Sequence, residues 1–134
     1  MTKVLLSSIM TSDVVCVSPN QKIIDVKHIY EKTKFHHHIP VTEAGKLVGI
    51  VSLVDFMYRI RGAGLDDNNP VYESLTVKEI MTTNPFALDQ GASIEEAAQI
   101  LKKGDYHALP ILDGDQIVGI VSTADLIAYF LERG

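Results

Sequence analysis

The 134-residue sequence predicts an α/β fold of the α+β type, made of two β-α-β-β-α repeats that share one core. Three observations predict it. The run Leu47-Val48-Gly49-Ile50-Val51-Ser52-Leu53-Val54-Asp55-Phe56 is written again as Ile117-Val118-Gly119-Ile120-Val121-Ser122-Thr123-Ala124-Asp125-Leu126, so one strand-to-helix junction is made twice. Ile9-Met10-Thr11 returns as Ile80-Met81-Thr82 and Pro40 as Pro110, at an offset of about 70 residues that closes by one between the first helix and the second strand of the later copy. A free half of about 60 residues would bury only about 60% of its unfolded-chain surface, so two halves with a common core are favoured over two beads. The repeats fall at 1–62 and 77–134, with a linker at 63–76.

Each element has a local cause. Val14-Val15-Cys16-Val17 is a β-branched run stopped by Ser18-Pro19-Asn20, and Phe86-Ala87-Leu88 is its counterpart. Apolar residues at Ile23, Val26, Ile29 and Tyr30 have helical spacing, with charge expected on the other face. In the second copy Ser93-Ile94-Glu95-Glu96 is a capping box that opens a helix whose stripe is Ile94, Ala97, Ala98 and Leu101. His37 to Val41 and Leu47 to Val51 flank the turn Glu43-Ala44-Gly45-Lys46, and His107 to Leu112 and Ile117 to Val121 flank Asp113-Gly114-Asp115, so each copy holds a hairpin. A proline inside such a strand belongs at an edge or a bulge, facing a ligand or a gap in the ladder. Closing helices carry Leu53, Phe56, Met57 and Ile60 in one copy and Thr123, Leu126, Ile127, Phe130 and Leu131 in the other. Ala128 and Tyr129 flank that last stripe, which implies a second buried face and hence a homodimer. Gly62 to Pro70 is polar and turn-rich, and is expected to run around the outside as a mobile linker.

Composition narrows the function. A net charge of −5 argues against a nucleic-acid surface. The single Cys16 excludes a disulfide framework and a cysteine metal cluster, as suits a reducing compartment. No apolar run reaches the roughly 18 residues of a membrane span, so a cytoplasmic protein without a membrane partner is expected. The sequence offers no activated nucleophile and no general base in a strained elbow, which argues against an enzyme.

Some residues carry chemistry as well as structure. Gly49 and Gly119 interrupt strands, which requires the close approach of another backbone, a flat ligand or a facing sheet. Ser52 with Asp55, and Ser122 with Asp125, have the S-x-x-D spacing of a helix cap, worth about 1 kcal/mol and needing no ligand. In His36-His37-His38, alternation puts His36 and His38 on one side and His37 on the other, and the second copy keeps only His107, so no metal site is expected.

The duplicated GIVSxxD, the IPV or LPI run before it and the IMT opening of each copy closely resemble the CBS domain pair, or Bateman module, over about residues 7 to 133. The resemblance implies two three-stranded sheets packed across a pseudo-twofold axis, with two clefts between the repeats. Such clefts take AMP, ADP, ATP or S-adenosylmethionine, sometimes a dinucleotide, and regulate a partner domain; no other cofactor is required. It also implies that the aspartate accepts hydrogen bonds from both ribose hydroxyls, at about 1.5–3 kcal/mol per charge-assisted bond, while the serine contacts ribose or phosphate.

His37 and His107 match the position where adenylate-sensing members carry a phosphate-contacting histidine, and His38 and Ala108 follow where those members often have arginine. Neutral imidazole holds phosphate less firmly than guanidinium, and alanine does not hold it. Carried over, one cleft would use His37, His38, Ser52 and Asp55 with Thr82 and Phe86. The other would use His107, Ser122 and Asp125 with Thr11 and Val15. The first is richer on the phosphate side, and Asp89 stands in the second copy where Ser18 stands in the first. The His37 cleft is therefore expected to take a mono- or diphosphate adenine nucleotide, and the other to bind weakly or to take a less charged adenosyl ligand, with an unknown regulated protein as the listener. The competing reading is a constitutive dimerisation or interaction scaffold without a ligand, in which the serines and aspartates are caps alone.

Overall fold

The computed structural model describes residues 4–32 and 37–133. Its residues group into two compact units, Val15–Pro85 and Met1–Val14 with Phe86–Gly134. Each unit thus contains the opening segment of the other sequence repeat.

In the unit Val15–Pro85, β1 (His38–Glu43) and β2 (Lys46–Ser52) form an antiparallel hairpin. Ala44 and Gly45 make its turn at φ of 51° and 81°, the left-handed pair that matches strand twist. Helix α1 (Ile23–Tyr30) and helix α2 (Leu53–Arg59) bury Ile23, Val26, Tyr30, Phe56 and Ile60 against Ile39, Val41 and Val51. The expected first strand shrinks to one bridge, in which Val17 donates to the Pro40 carbonyl at 3.1 Å and accepts from Thr42 N–H at 2.9 Å. Two residues earlier, the Val15 carbonyl would need an N–H from Pro40, which has none. The ladder stops there, so the proline does mark a gap in it.

The second part of the 63–76 segment is stitched into the same unit. Helix α3 (Val71–Ser74) buries Tyr72, whose hydroxyl donates to the Gly64 carbonyl at 2.7 Å. Ile23 N–H donates to Leu75 O and Val77 N–H to Gln21 O, at 3.0 and 2.8 Å. Earlier in the segment, Asp67 accepts from Lys27 at 2.6 Å and lies 2.9 Å from His28. Lys27 is also bonded to Glu31 at 2.8 Å and lies over the Tyr72 ring at 5.4 Å, so α1 buries a charge on the face read as apolar. Gly62 to Pro70 does run along the surface, exposed except at the half-buried Ala63 and Asn69, and Asp67 fastens it to the buried Lys27 of α1. Helix α4 (Val77–Ile80), capped by a Thr76–Glu79 box, then leads to β3 (Thr82–Thr83), which pairs antiparallel with β2.

The second unit repeats the scheme. Its strand β4 (Leu88–Asp89) runs parallel to β5 (Ala108–Asp113), which pairs antiparallel with β6 (Gln116–Ser122). Here too the first strand begins late, at Leu88 rather than Phe86, beside Pro110. Helix α5 (Ile94–Leu101) has the expected capping box, with Ser93 Oγ accepting from Glu96 N–H at 3.2 Å. The opener is stitched in by Leu6 N–H to Ala92 O and Ile94 N–H to Val4 O, and Thr11 exchanges both hydrogen bonds with Ile120 at 2.9 Å. Leu6, Ile94, Ala97, Leu101, Leu109, Ile111, Val121 and Leu126 form the core.

Helix α6 (Thr123–Arg133) corrects the expected stripe. Only Leu126 of it is buried; Tyr129 packs on the core, while Ile127, Phe130 and Leu131 are exposed at 56%, 47% and 76%. In α2, Val54, Met57 and Tyr58 are likewise exposed and only Phe56 is buried. Among the described residues no helix is long and apolar enough to cross a membrane.

Candidate functional site

In each unit, strand pairing gathers the same kinds of residue at one helix N-terminus. Alternation sends Ile39, Val41 and Val51 to the core, so His38 and Ser52, opposite one another across the hairpin, lie on the other face. Thr82 pairs with Ile50, two residues from Ser52, and joins that face. In the second unit Thr11 pairs with Ile120 and Ala108 with Ser122, so the matching face has alanine in the place of His38. The histidine before each strand clamps the helix that follows: Leu53 N–H donates to the His37 carbonyl at 2.7 Å and Thr123 N–H to the His107 carbonyl at 3.0 Å. Both imidazoles belong to exposed residues. His36 lies outside the described residues.

The strand glycines are explained by the openers. A Cβ on Gly49 would lie 2.5 Å from Met81 Sδ and 3.0 Å from the Thr82 carbonyl; on Gly119 it would lie 2.5 Å from Met10 Sδ and 2.9 Å from the Thr11 carbonyl. The close approach is therefore another backbone with its methionine, which is what seats each threonine beside its serine.

The two Ser-x-x-Asp pairs differ. Ser52 Oγ accepts from Asp55 N–H at 3.0 Å, and among the described residues no hydrogen bond reaches the Asp55 carboxylate. Ser122 Oγ accepts from Asp125 N–H at 3.1 Å, and here the carboxylate closes the box by accepting from Ser122 N–H at 2.9 Å. The second cap is complete, whereas the first leaves a half-buried carboxylate with its lone pairs unused. Asp89 is absorbed locally, accepting from Gly91 N–H at 2.7 Å in a turn.

Phe86 and Val15 fall in the opposite units from the aspartates with which the resemblance groups them. Phe86 stacks on Tyr106 at 5.7 Å, both rings exposed, beside His107 in sequence. One cluster of potential metal ligands occurs among the described residues, the exposed His28, Glu31 and Asp67, and the Lys27 ammonium is already bonded to both carboxylates. Burial pushes the Cys16 thiol up, which opposes a nucleophilic role.

Sequence reasoning missed Tyr30. Its hydroxyl lies 3.2 Å from the His37 carbonyl and 3.3 Å from that of Val51, and its ring meets Phe56 at 5.4 Å. Burial first, and then the neighbouring Asp55 charge, raise this hydroxyl far above the usual tyrosine range. The available signal was Tyr30 at the end of the helix stripe, where the second repeat has Leu101.

Comparison with known proteins fits this geometry. The CBS domain family matches residues 6–62 and 77–132. Protein MJ0188 of Methanocaldococcus jannaschii is 34% identical over 132 residues, covering 97% of this chain, which spans 45% of that relative's length. The CBS domain pair of protein MJ0100, solved with 5'-methylthioadenosine and S-adenosyl-L-methionine, superposes with a TM-score of 0.82 at 23% identity, covering 99% of this chain and all 100% of that one. CBSX2 of Arabidopsis thaliana, solved with AMP, gives a TM-score of 0.79 at 21% identity, with 97% and 98% covered. At these identities both likenesses speak to the fold alone.

Proposed function

Because this chain belongs to the CBS domain family, we propose that it is a regulatory module, not a catalyst, which binds an adenosine-containing ligand at the Ser-x-x-Asp sites and passes the bound state to a partner protein. The observation that carries this reading is the open carboxylate of Asp55 beside the capping Ser52. A carboxylate accepts two vicinal ribose hydroxyls well and repels phosphate, so the phosphate end lies toward His37 and His38. Relatives of this fold solved with AMP, and with S-adenosyl-L-methionine and methylthioadenosine, support the ligand class.

The two sites are unequal in this reading. Asp55, Ser52, His37, His38 and Thr82 form the stronger one, suited to AMP or ADP. Asp125 already has Oδ2 engaged in its own cap, which leaves Oδ1 as its open oxygen, and Ala108 adds no phosphate contact. Ser122, Asp125, His107 and Thr11 thus bind weakly or take a less charged adenosyl ligand. Phe86 and Val15 are retained as base-side contacts by resemblance.

Calorimetry with AMP, ATP and S-adenosylmethionine on wild type and Asp55→Ala tests this. AMP binding drops at least tenfold in the variant; undiminished binding refutes the assignment. A ligand-free scaffold, the competing reading, predicts no thermal shift, whereas nucleotide at about 100 times its Kd adds roughly 2.7 kcal/mol. The exposed apolar faces of α6 (Ile127, Phe130, Leu131) and α2 (Val54, Met57, Tyr58) support a homodimer, and the single cysteine supports a reducing, cytoplasmic setting. Sedimentation of Phe130→Glu as a monomer and of wild type as a dimer checks it.

A further inference from the structure

Tyr30 is in contact with three corners of the Asp55 site. Its hydroxyl meets the main chain just before β1, at His37, and the end of β2, at Val51. Its ring packs on Phe56, the residue after Asp55 in the first turn of α2. The His37 carbonyl also receives Leu53 N–H at 2.7 Å, so one oxygen joins the helix start to the strand start and accepts from the tyrosine hydroxyl at 3.2 Å as well. We propose that Tyr30 is the positioning residue of the Asp55 site, locking His37, Ser52 and Asp55 into one arrangement that the second unit, with Leu101 at the same helix position, does not share. This rests on the ligand reading above and adds what makes the two sites differ in readiness.

The chemistry suits the task. The hydroxyl is buried and stays protonated throughout the physiological range, so it remains a donor and never a charge beside Asp55. A ligand that needs His37 and Asp55 at a fixed separation meets them already placed, and spends none of its binding free energy on ordering them. In the second unit the His107 carbonyl is met by the Thr123 main chain and hydroxyl, both from the helix itself, and among the described residues no side chain ties it to the end of β6 in this way.

Tyr30→Phe removes the hydroxyl and keeps the ring on Phe56. Two readouts decide the matter. In an Asp125→Ala background, which isolates the Asp55 site, AMP affinity by calorimetry falls about threefold to tenfold in Tyr30→Phe, the range of one hydrogen bond. Amide exchange followed by NMR shows Leu53 N–H accelerated by a similar factor, with Thr123 N–H unchanged; a general loss of stability would accelerate both. Equal AMP affinity, or a Leu53 amide that behaves as Thr123 does, overturns the proposal. If the parent protein takes up no AMP, the ligand reading fails by itself, and the Leu53 to Thr123 comparison still judges the role of Tyr30.

Discussion

Gly119→Ala tests how the openers are seated. The new Cβ would stand 2.5 Å from Met10 Sδ, 2.8 Å from Met10 Cγ and 2.9 Å from the Thr11 carbonyl oxygen, against an ordinary contact of 3.4–4 Å. The methionine can swing aside. The carbonyl has no such freedom, since Thr11 exchanges two hydrogen bonds of 2.9 Å with Ile120. Overpacking of this kind costs about 1–3 kcal/mol, and stretching one strand hydrogen bond about 1 kcal/mol more. Replacing a strand glycine returns about 0.5–1 kcal/mol of backbone entropy. The balance is a loss of about 2 kcal/mol, or a Tm lower by roughly 7 °C for a chain of this length. Thermal unfolding followed by circular dichroism measures it, with Gly64→Ala as control because its Cβ would enter open space at an ordinary φ. A Gly119→Ala protein that melts within about 1 °C of wild type refutes the seating argument.

Three further outcomes follow from the same geometry. Ser93→Ala removes the acceptor for Glu96 N–H in a nearly fully buried cap and lowers stability by about 1 kcal/mol in urea unfolding; an unchanged midpoint contradicts the cap. The hydrogen bonds from Lys27, and then from His28, hold the Asp67 carboxyl below the usual carboxylate range, so its stabilising effect is present above the ordinary value of 3.8 and fades as pH falls through the lowered one. Limited proteolysis between residues 62 and 70 therefore rises in Asp67→Asn at neutral pH, and in wild type only at acid pH; equal cleavage of the two at pH 7 sinks the anchor. If His37 and His38 hold the phosphate, replacing both by alanine weakens AMP binding in calorimetry and leaves adenosine binding unchanged; an equal loss for the two ligands removes the histidines from that role.

Local chemistry made most of the fold legible. The hairpins, the Ser93–Glu96 box and the helix starts at Ile23, Leu53, Ile94 and Thr123 depend on residues within a few positions of one another. What failed depended on distant partners. Val14–Val17 has every local feature of a strand, yet the missing donor is Pro40 on another strand. Lys27 reads as a solvated charge until Asp67 and Glu31 are seen around it, and Met57, Ile127 and Phe130 read as core because periodicity counts apolar residues without saying which arc faces inward. At the site, the Ser-x-x-Asp spacing located both caps, but identical motifs concealed that one carboxylate is engaged and the other is open.

The exchange of openers has a consequence for anyone who shortens the gene. A fragment ending at residue 76 keeps both strands of its hairpin and loses Met81 and Thr82–Thr83, so β2 is left with a bare ribbon of amides and Gly49 with an empty notch. Such a rim recruits the nearest strand on offer. A second copy that still carries its own opener can supply it, which makes trading of segments between chains, more than simple unfolding, the failure to look for in truncated forms.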